Sequence, residues 1–341
     1  MSERVRNWIG HGLVLLVFLV AVRWLLYELK DPDGKPYTFR DIYDQLRLIP
    51  IGNFCGAMLI MLFNYVVLFG YDILALRSIG RSLPLRQVAT AAFVGHSCSF
   101  NFGAILGGST VRYRLYSLWG LSAVDIVKLL LVLGVTFWVG ALALAGLMFL
   151  WQPLSIPPEF LAKLPEWLRD HFPKTVRPLA PILLGVVAFY LGLSFFQRRP
   201  LRFRGQEFHL PSLKMALSQL AVASLDFTIA ASVLFVLLPD EVEISFLHFL
   251  SIYLLAIVGG VVTHVPGGIG ILELVVLTLI ASNDKGIEKD ALFASLLAFR
   301  VVYYWIPLFP ALALLGLADV LPRKPKPLVT EEKSDPSDRA E

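Results

Sequence analysis

The stretches GHSCSFNFGAILGG (Gly95–Gly108) and GGVVTHVPGGIG (Gly259–Gly270) interrupt long apolar runs at corresponding places in the two halves of the chain. Laid over each other, Val94-Gly95 falls on Val258-Gly259, and Phe102-Gly103 falls on Pro266-Gly267. Glycine and proline weaken a helix. A helix broken inside a bilayer leaves backbone groups that only protein or a polar cavity can satisfy. In secondary transporters, paired breaks in two halves point to a substrate site near the membrane midplane. The expectation is a transport-type membrane protein with two broken or re-entrant hairpins in a weak inverted repeat.

Composition supports the bilayer. Of 341 residues, 57% are hydrophobic and 16% charged, against about 25% charged in a soluble domain. A span needs roughly 20 apolar residues. Candidate runs are Trp8–Leu29, Phe54–Leu76, Val88–Leu106, Val124–Leu150, Leu179–Phe196, Met215–Leu238, Phe246–Thr263, Ile269–Ala281 and Ala291–Val320. Phe246–Ala281 reads either as two short spans or as a span with a re-entrant hairpin. The expected fold class is all-α and polytopic, with about eight transmembrane helices over residues 1–321. The tail, residues 322–341, is charged and free of aromatics and reads as disordered. No small-residue cleavage site follows the first apolar run, which is expected to be a retained helix. Cys55 and Cys98 lie far apart in apolar context and read as packing residues rather than a disulfide.

Loop charge gives an orientation. The basic clusters are Arg4/Arg6, Arg77/Arg81/Arg86, Arg198/Arg199/Arg202/Arg204 and Arg323/Lys324/Lys326. Excess lysine and arginine mark cytoplasmic loops, so both termini are expected in the cytoplasm. That arrangement requires Val88–Leu106 to return to the side it entered, and the second break is then approached from the opposite face. Phe160–Asp170, in the longest external connection, is expected to be either an interfacial amphipathic helix or an ordered loop.

Several residues have chemistry to offer. After the first break comes GGSTVRYRLY, in which Gly107 and Gly108 precede Arg112 and Arg114. Arginine forks match phosphate oxygens, and free amides in a glycine turn help hold an anion. The pair reads either as a lipid-phosphate site or as a positive-inside anchor. The second break continues through Gly267 and Gly268 to Glu273, an ionisable group in an apolar run and so a functional candidate. Arg300 is its natural partner. Tyr303 and Tyr304 read as site residues or as an aromatic belt. Asp226, inside a span, must be protonated, paired or wet, so with Glu273 it is a candidate proton or cation relay. Asn64 and Asp72 are weaker candidates for a polar interior face. His96 and His264 lie near the breaks without metal-ligand spacing, so no metal or cofactor is expected. Zinc-helix, phosphate-loop and nucleophile-elbow motifs are absent from the sequence. Tyr71-Asp72 matches only half of an intramembrane aspartyl protease signature. The chain is not expected to be an enzyme.

The motifs GGSTVRYRLY (107–116), VPGGIGILE (265–273) and FRVVYYWIP (299–307) together resemble the transmembrane domain of the lysylphosphatidylglycerol synthase/flippase family, including its stand-alone YbhN-type members. The resemblance runs from the first span to about Val320. It implies an all-helical fold with re-entrant segments, a bacterial inner-membrane location and a role in moving phospholipids between leaflets. Arg112 and Arg114 match the family's arginine pair. Gly267, Gly268 and Glu273 match its glycine turn and acidic residue, and Arg300, Tyr303 and Tyr304 match its last-helix motif. Bifunctional members add a soluble aminoacyltransferase domain, whereas here a short tail follows, so lipid aminoacylation is not expected. The expected function is a flippase moving or binding anionic or aminoacylated phospholipids. The alternative is a scaffold handing lipid to a partner lipid-synthesis or envelope enzyme. Membrane phospholipids are the expected partners, nucleic acid is not, and a homo-oligomer is left open.

Overall fold

The computed structural model describes residues 39–47, 49–156, 173–196, 201–203, 206–208, 211–262, 270–281 and 289–320. The apolar runs fold as helices α1 (Phe39–Leu46), α2 (Ile51–Ser78), α3 (Leu85–Phe102), α4 (Thr110–Leu118), α5 (Ala123–Trp151), α6 (Leu179–Phe196), α7 (Leu213–Leu237), α8 (Phe246–Val262), α9 (Ile271–Ala281), α10 (Lys289–Phe299) and α11 (Ile306–Val320). Wide π turns at Ala104–Ser109 and Arg300–Trp305 lead into α4 and join α10 to α11. A small exception to the all-helical reading lies between α6 and α7, where Leu201–Phe203 pairs antiparallel with Gln206–Phe208.

Five helical stretches among the described residues are long and apolar enough to cross a membrane: Ile51–Ser78, Ala123–Trp151, Leu179–Phe196, Leu213–Leu237 and Ala291–Gly316. The chain is a membrane protein built from transmembrane helices. Five is fewer than the eight expected. Phe246–Val261 and Ile271–Ile280 are shorter apolar helices, and α3 carries Arg86, Gln87, His96 and Asn101. Trp8–Leu29, Phe160–Asp170 and the tail lie outside the described residues. So do Gly267 and Gly268.

At the centre, α2 and α7 run antiparallel. Gly56 faces Val236, Asn64 meets Asp226, and Gly70 faces Val222. The sides of α2 are arranged for lipid rather than water. Asn64 and Asp72 are fully buried, whereas Leu59, Leu62, Phe63 and Val66 lie on its outer face. Small residues allow close crossing of helices where no hydrophobic force drives them together. At Gly140 of α5, an added Cβ would collide with Ala223 of α7.

Both breaks reverse the chain. In the first, Gly103 adopts φ +83°, a conformation that suits glycine. The return arm then retraces α3, with Gly107 against the Cys98 carbonyl and Gly108 against Ser99 and Gly95. Arg112 lies against Gly95. In the second, α9 packs back on α8, with Ile271 facing Gly259. The first hairpin starts at the bundle end where α2 finishes. The second starts where α7 finishes, which is the end where α2 begins, because α2 and α7 are antiparallel. α10 packs on α1, at that same end. The two hairpins therefore enter from opposite ends of the bundle. Cys55 and Cys98 are both free; Cys98 is buried, whereas Cys55 is exposed rather than packed.

Candidate functional site

Five charged side chains are buried among the described residues: Asp72, Arg112, Asp226, Glu273 and Arg300. They form three groups on the inner faces of the hairpins and the central helices.

The first group pins the first hairpin to α2. Arg112 donates from Nε and Nη2 to the two oxygens of Asp72, both at 3.0 Å. Tyr116 OH adds a 2.7 Å bond to Asp72 Oδ1. His96 Nε2 lies 3.6 Å from Asp72 Oδ2, beyond hydrogen-bond length. Gly95 makes the slot: a Cβ there would come within 2.6–2.8 Å of the guanidinium. A two-pronged, charge-assisted pair is the strongest hydrogen-bonding arrangement available to arginine. In a low-dielectric interior the attraction between the two offsets the desolvation cost that each incurs on burial.

The second group pins the second hairpin. Arg300 donates from Nε to Glu273 Oε1 at 2.8 Å and from Nη2 to Oε2 at 3.1 Å. Glu273 Oε2 also accepts from the Gly270 N–H at 2.9 Å, which occupies a donor at the open start of α9. The guanidinium carbon of Arg300 lies 4.7 Å from the Tyr304 ring centroid. Pro307 has no N–H to offer the Tyr303 carbonyl one helical turn back, which accounts for the wide turn at Arg300–Trp305.

The third group sits between them. Asp226 accepts from Asn64 Nδ2 and from Tyr71 OH, each at 2.8 Å. Asn64 Nδ2 also donates to Tyr303 OH at 2.6 Å. Asn101, near the first hairpin tip, donates to the Tyr304 carbonyl at 2.9 Å. Phe100 packs on Tyr303 with ring centroids 5.2 Å apart. The first hairpin and the Arg300–Trp305 turn are thus directly tied.

No family model matches the chain. Similar proteins do. It is 36% identical over 289 residues to an uncharacterized protein of Synechocystis sp., covering 84% of this chain and 85% of that one. It is 31% identical over 314 residues to the inner membrane protein YbhN of Escherichia coli, covering 92% of this chain and 93% of that one. The chain belongs to the YbhN family. A phosphatidylglycerol lysyltransferase of Staphylococcus aureus is 24% identical over 328 residues, which is 92% of this chain but 35% of that enzyme.

In this YbhN-family chain, the expected Glu273–Arg300 pair is present. Gly107 and Gly108 are close-packing positions between the hairpin arms. Arg112 is already engaged: Asp72 occupies the Nε/Nη2 edge of its guanidinium. Arg114 lies on the exposed side of α4, so the two arginines do not converge. Tyr303 and Tyr304 are buried rather than set in an interfacial belt. Asp226 is buried in a polar cluster with Asn64 and Tyr71. The sequence reading missed Tyr71, Tyr116 and the Asp72–Arg112 pair. A carboxylate inside the run Phe54–Leu76 already demanded a named partner.

Proposed function

We propose that the protein is a phospholipid translocase of the bacterial inner membrane, moving anionic or aminoacylated lipid between leaflets without acting as an enzyme. One observation carries the reading. Two back-folded hairpins enter an apolar bundle from opposite ends, and each is held by a buried arginine–carboxylate fork. Irregular backbone at such depth is tolerated where it lines a cavity or is buried in protein, and paired breaks of this kind belong to alternating-access transporters. The relative named as a phosphatidylglycerol lysyltransferase supports a phospholipid as the ligand. In the proposed cycle about eight crossings form the frame, with both termini in the cytoplasm. The hairpins pivot against it at Asp72–Arg112 and Glu273–Arg300, the points where each is tied to the frame. Arg114, on the outer side of α4, meets headgroup phosphate.

Purified protein in liposomes should accelerate transbilayer exchange of phosphatidylglycerol or lysyl-phosphatidylglycerol over protein-free vesicles. Folded protein that moves no lipid across such a panel would favour instead a scaffold handing lipid to a partner enzyme.

A further inference from the structure

Among the described residues, three buried carboxylates face two buried guanidiniums, and the one left over is Asp226. Asp72 and Glu273 each take an arginine fork. Among the described residues, Asp226 takes only neutral donors, Asn64 and Tyr71. An ionised carboxylate without a cation is expensive in an apolar interior and is relieved most simply by a proton.

The surroundings are built for that proton. The Asn64 amide donates to Asp226 Oδ1 and to Tyr303 OH, while its own fully buried oxygen has no hydrogen-bond partner. Tyr303 OH accepts from Asn64 and donates to no described residue. With a proton on Asp226 Oδ1, two donors become available to that orphaned oxygen, the new acid O–H and the existing Tyr303 O–H, while Nδ2 takes the unpartnered position. The Asn64 side chain turns by half a turn about Cβ–Cγ, exchanging Nδ2 and Oδ1. The acid O–H and the Tyr303 O–H then both point at Asn64 Oδ1. We propose that Asp226 is a reversible proton-binding site whose state is read by rotation of the Asn64 amide. The proton comes from water and returns to it, so only an O–H bond is made and broken.

The neighbouring groups leave Asp226 as the one free to exchange. From α2 it is faced by Tyr65 and Tyr71; Asp72 of that helix is held by Arg112. From α8 it is faced by Tyr253, and from the Arg300–Trp305 turn by Tyr303, with Arg300 and Tyr304 engaged at Glu273. The titratable residues of α5, Asp125 and Lys128, lie in its first turns, well before Phe137, which packs on Phe227. Tyr190 of α6 is hydrogen-bonded to Gln219, two turns before Asp226. Ala291–Phe299 of α10 contains no titratable residue. Among the described residues no cluster of three His, Cys, Asp or Glu side chains exists to hold a metal ion. Only the use of the proton to drive lipid movement rests on the translocase reading; the site itself stands without it.

Infrared difference spectroscopy on the full chain in nanodiscs, titrated between high and low pH in H2O and D2O, reads the site directly. The expected result is a protonated-carboxyl band that grows as pH falls, shifts in D2O and is lost in Asp226→Asn. Tyr71→Phe removes one donor to the charged form, so its band should persist with a midpoint about one pH unit higher, a tenfold tighter proton. If Asp226→Asn does not fold, the Tyr71→Phe shift alone decides. A spectrum without such a band, a band retained in folded Asp226→Asn, or a midpoint unmoved by Tyr71→Phe overturns the proposal. So does sodium-dependent thermal stabilisation of wild type, absent in Asp226→Asn, in place of the proton band. None of these readouts involves lipid movement, so the proton site and the translocase reading fail separately.

Discussion

Arg300 binds Glu273 through both arms of its fork, at 2.8 and 3.1 Å, while its guanidinium carbon lies 4.7 Å from the Tyr304 ring centroid. The geometry needs a planar, delocalised cation, which lysine does not offer. Arg300→Lys keeps the charge but loses the second arm and the stacking. We expect a loss of about 1.5–3 kcal/mol of stability, read as a lowered midpoint in detergent unfolding. Tyr304→Phe keeps the ring face and should change the midpoint little.

The Asp72–Arg112 pair should show the asymmetry of buried ion pairs. Asp72→Ala leaves Arg112 buried and uncompensated, at a cost of about 3–5 kcal/mol. The double variant Asp72→Leu/Arg112→Met removes both charges and should recover most of that loss. A double-mutant cycle on thermal unfolding measures the coupling.

Packing of the first hairpin should be tested at Gly108, where a side chain would strike Ser99. Gly108→Val is expected to cost about 1–3 kcal/mol through overpacking. Gly134, within α5, has nothing within 4 Å of an added Cβ. Gly134→Ala should therefore be neutral or stabilising by about 0.5–1 kcal/mol.

Much of this architecture was legible because length and apolarity fix a membrane helix almost alone. Phe54–Leu76, Leu179–Phe196 and Met215–Leu238 map within a few residues onto α2, α6 and α7. Glu273–Arg300 was legible too, since two opposite charges in neighbouring apolar runs have few other partners. The fork between Asp72 and Arg112 was not. It spans 40 residues and exists only because the chain reverses at Gly103, so Arg112 looked available for phosphate. The link from Asn64 to Asp226 and Tyr303 spans 162 and 239 residues. Only the folded bundle brings those three together.

Tyr303 should matter through its hydroxyl. Tyr303→Phe keeps the stack on Phe299, at 5.2 Å between centroids, but removes one acceptor from Asn64. The expected cost is about 1 kcal/mol, again by thermal unfolding.

The most direct test of the translocase account is phospholipid exchange in proteoliposomes, with wild type beside folded Arg112→Ala and Glu273→Gln. The account predicts rapid exchange by wild type and loss of it in both variants, because each frees one hairpin from its frame. Exchange that persists at the wild-type rate in both would contradict the role given to these pairs.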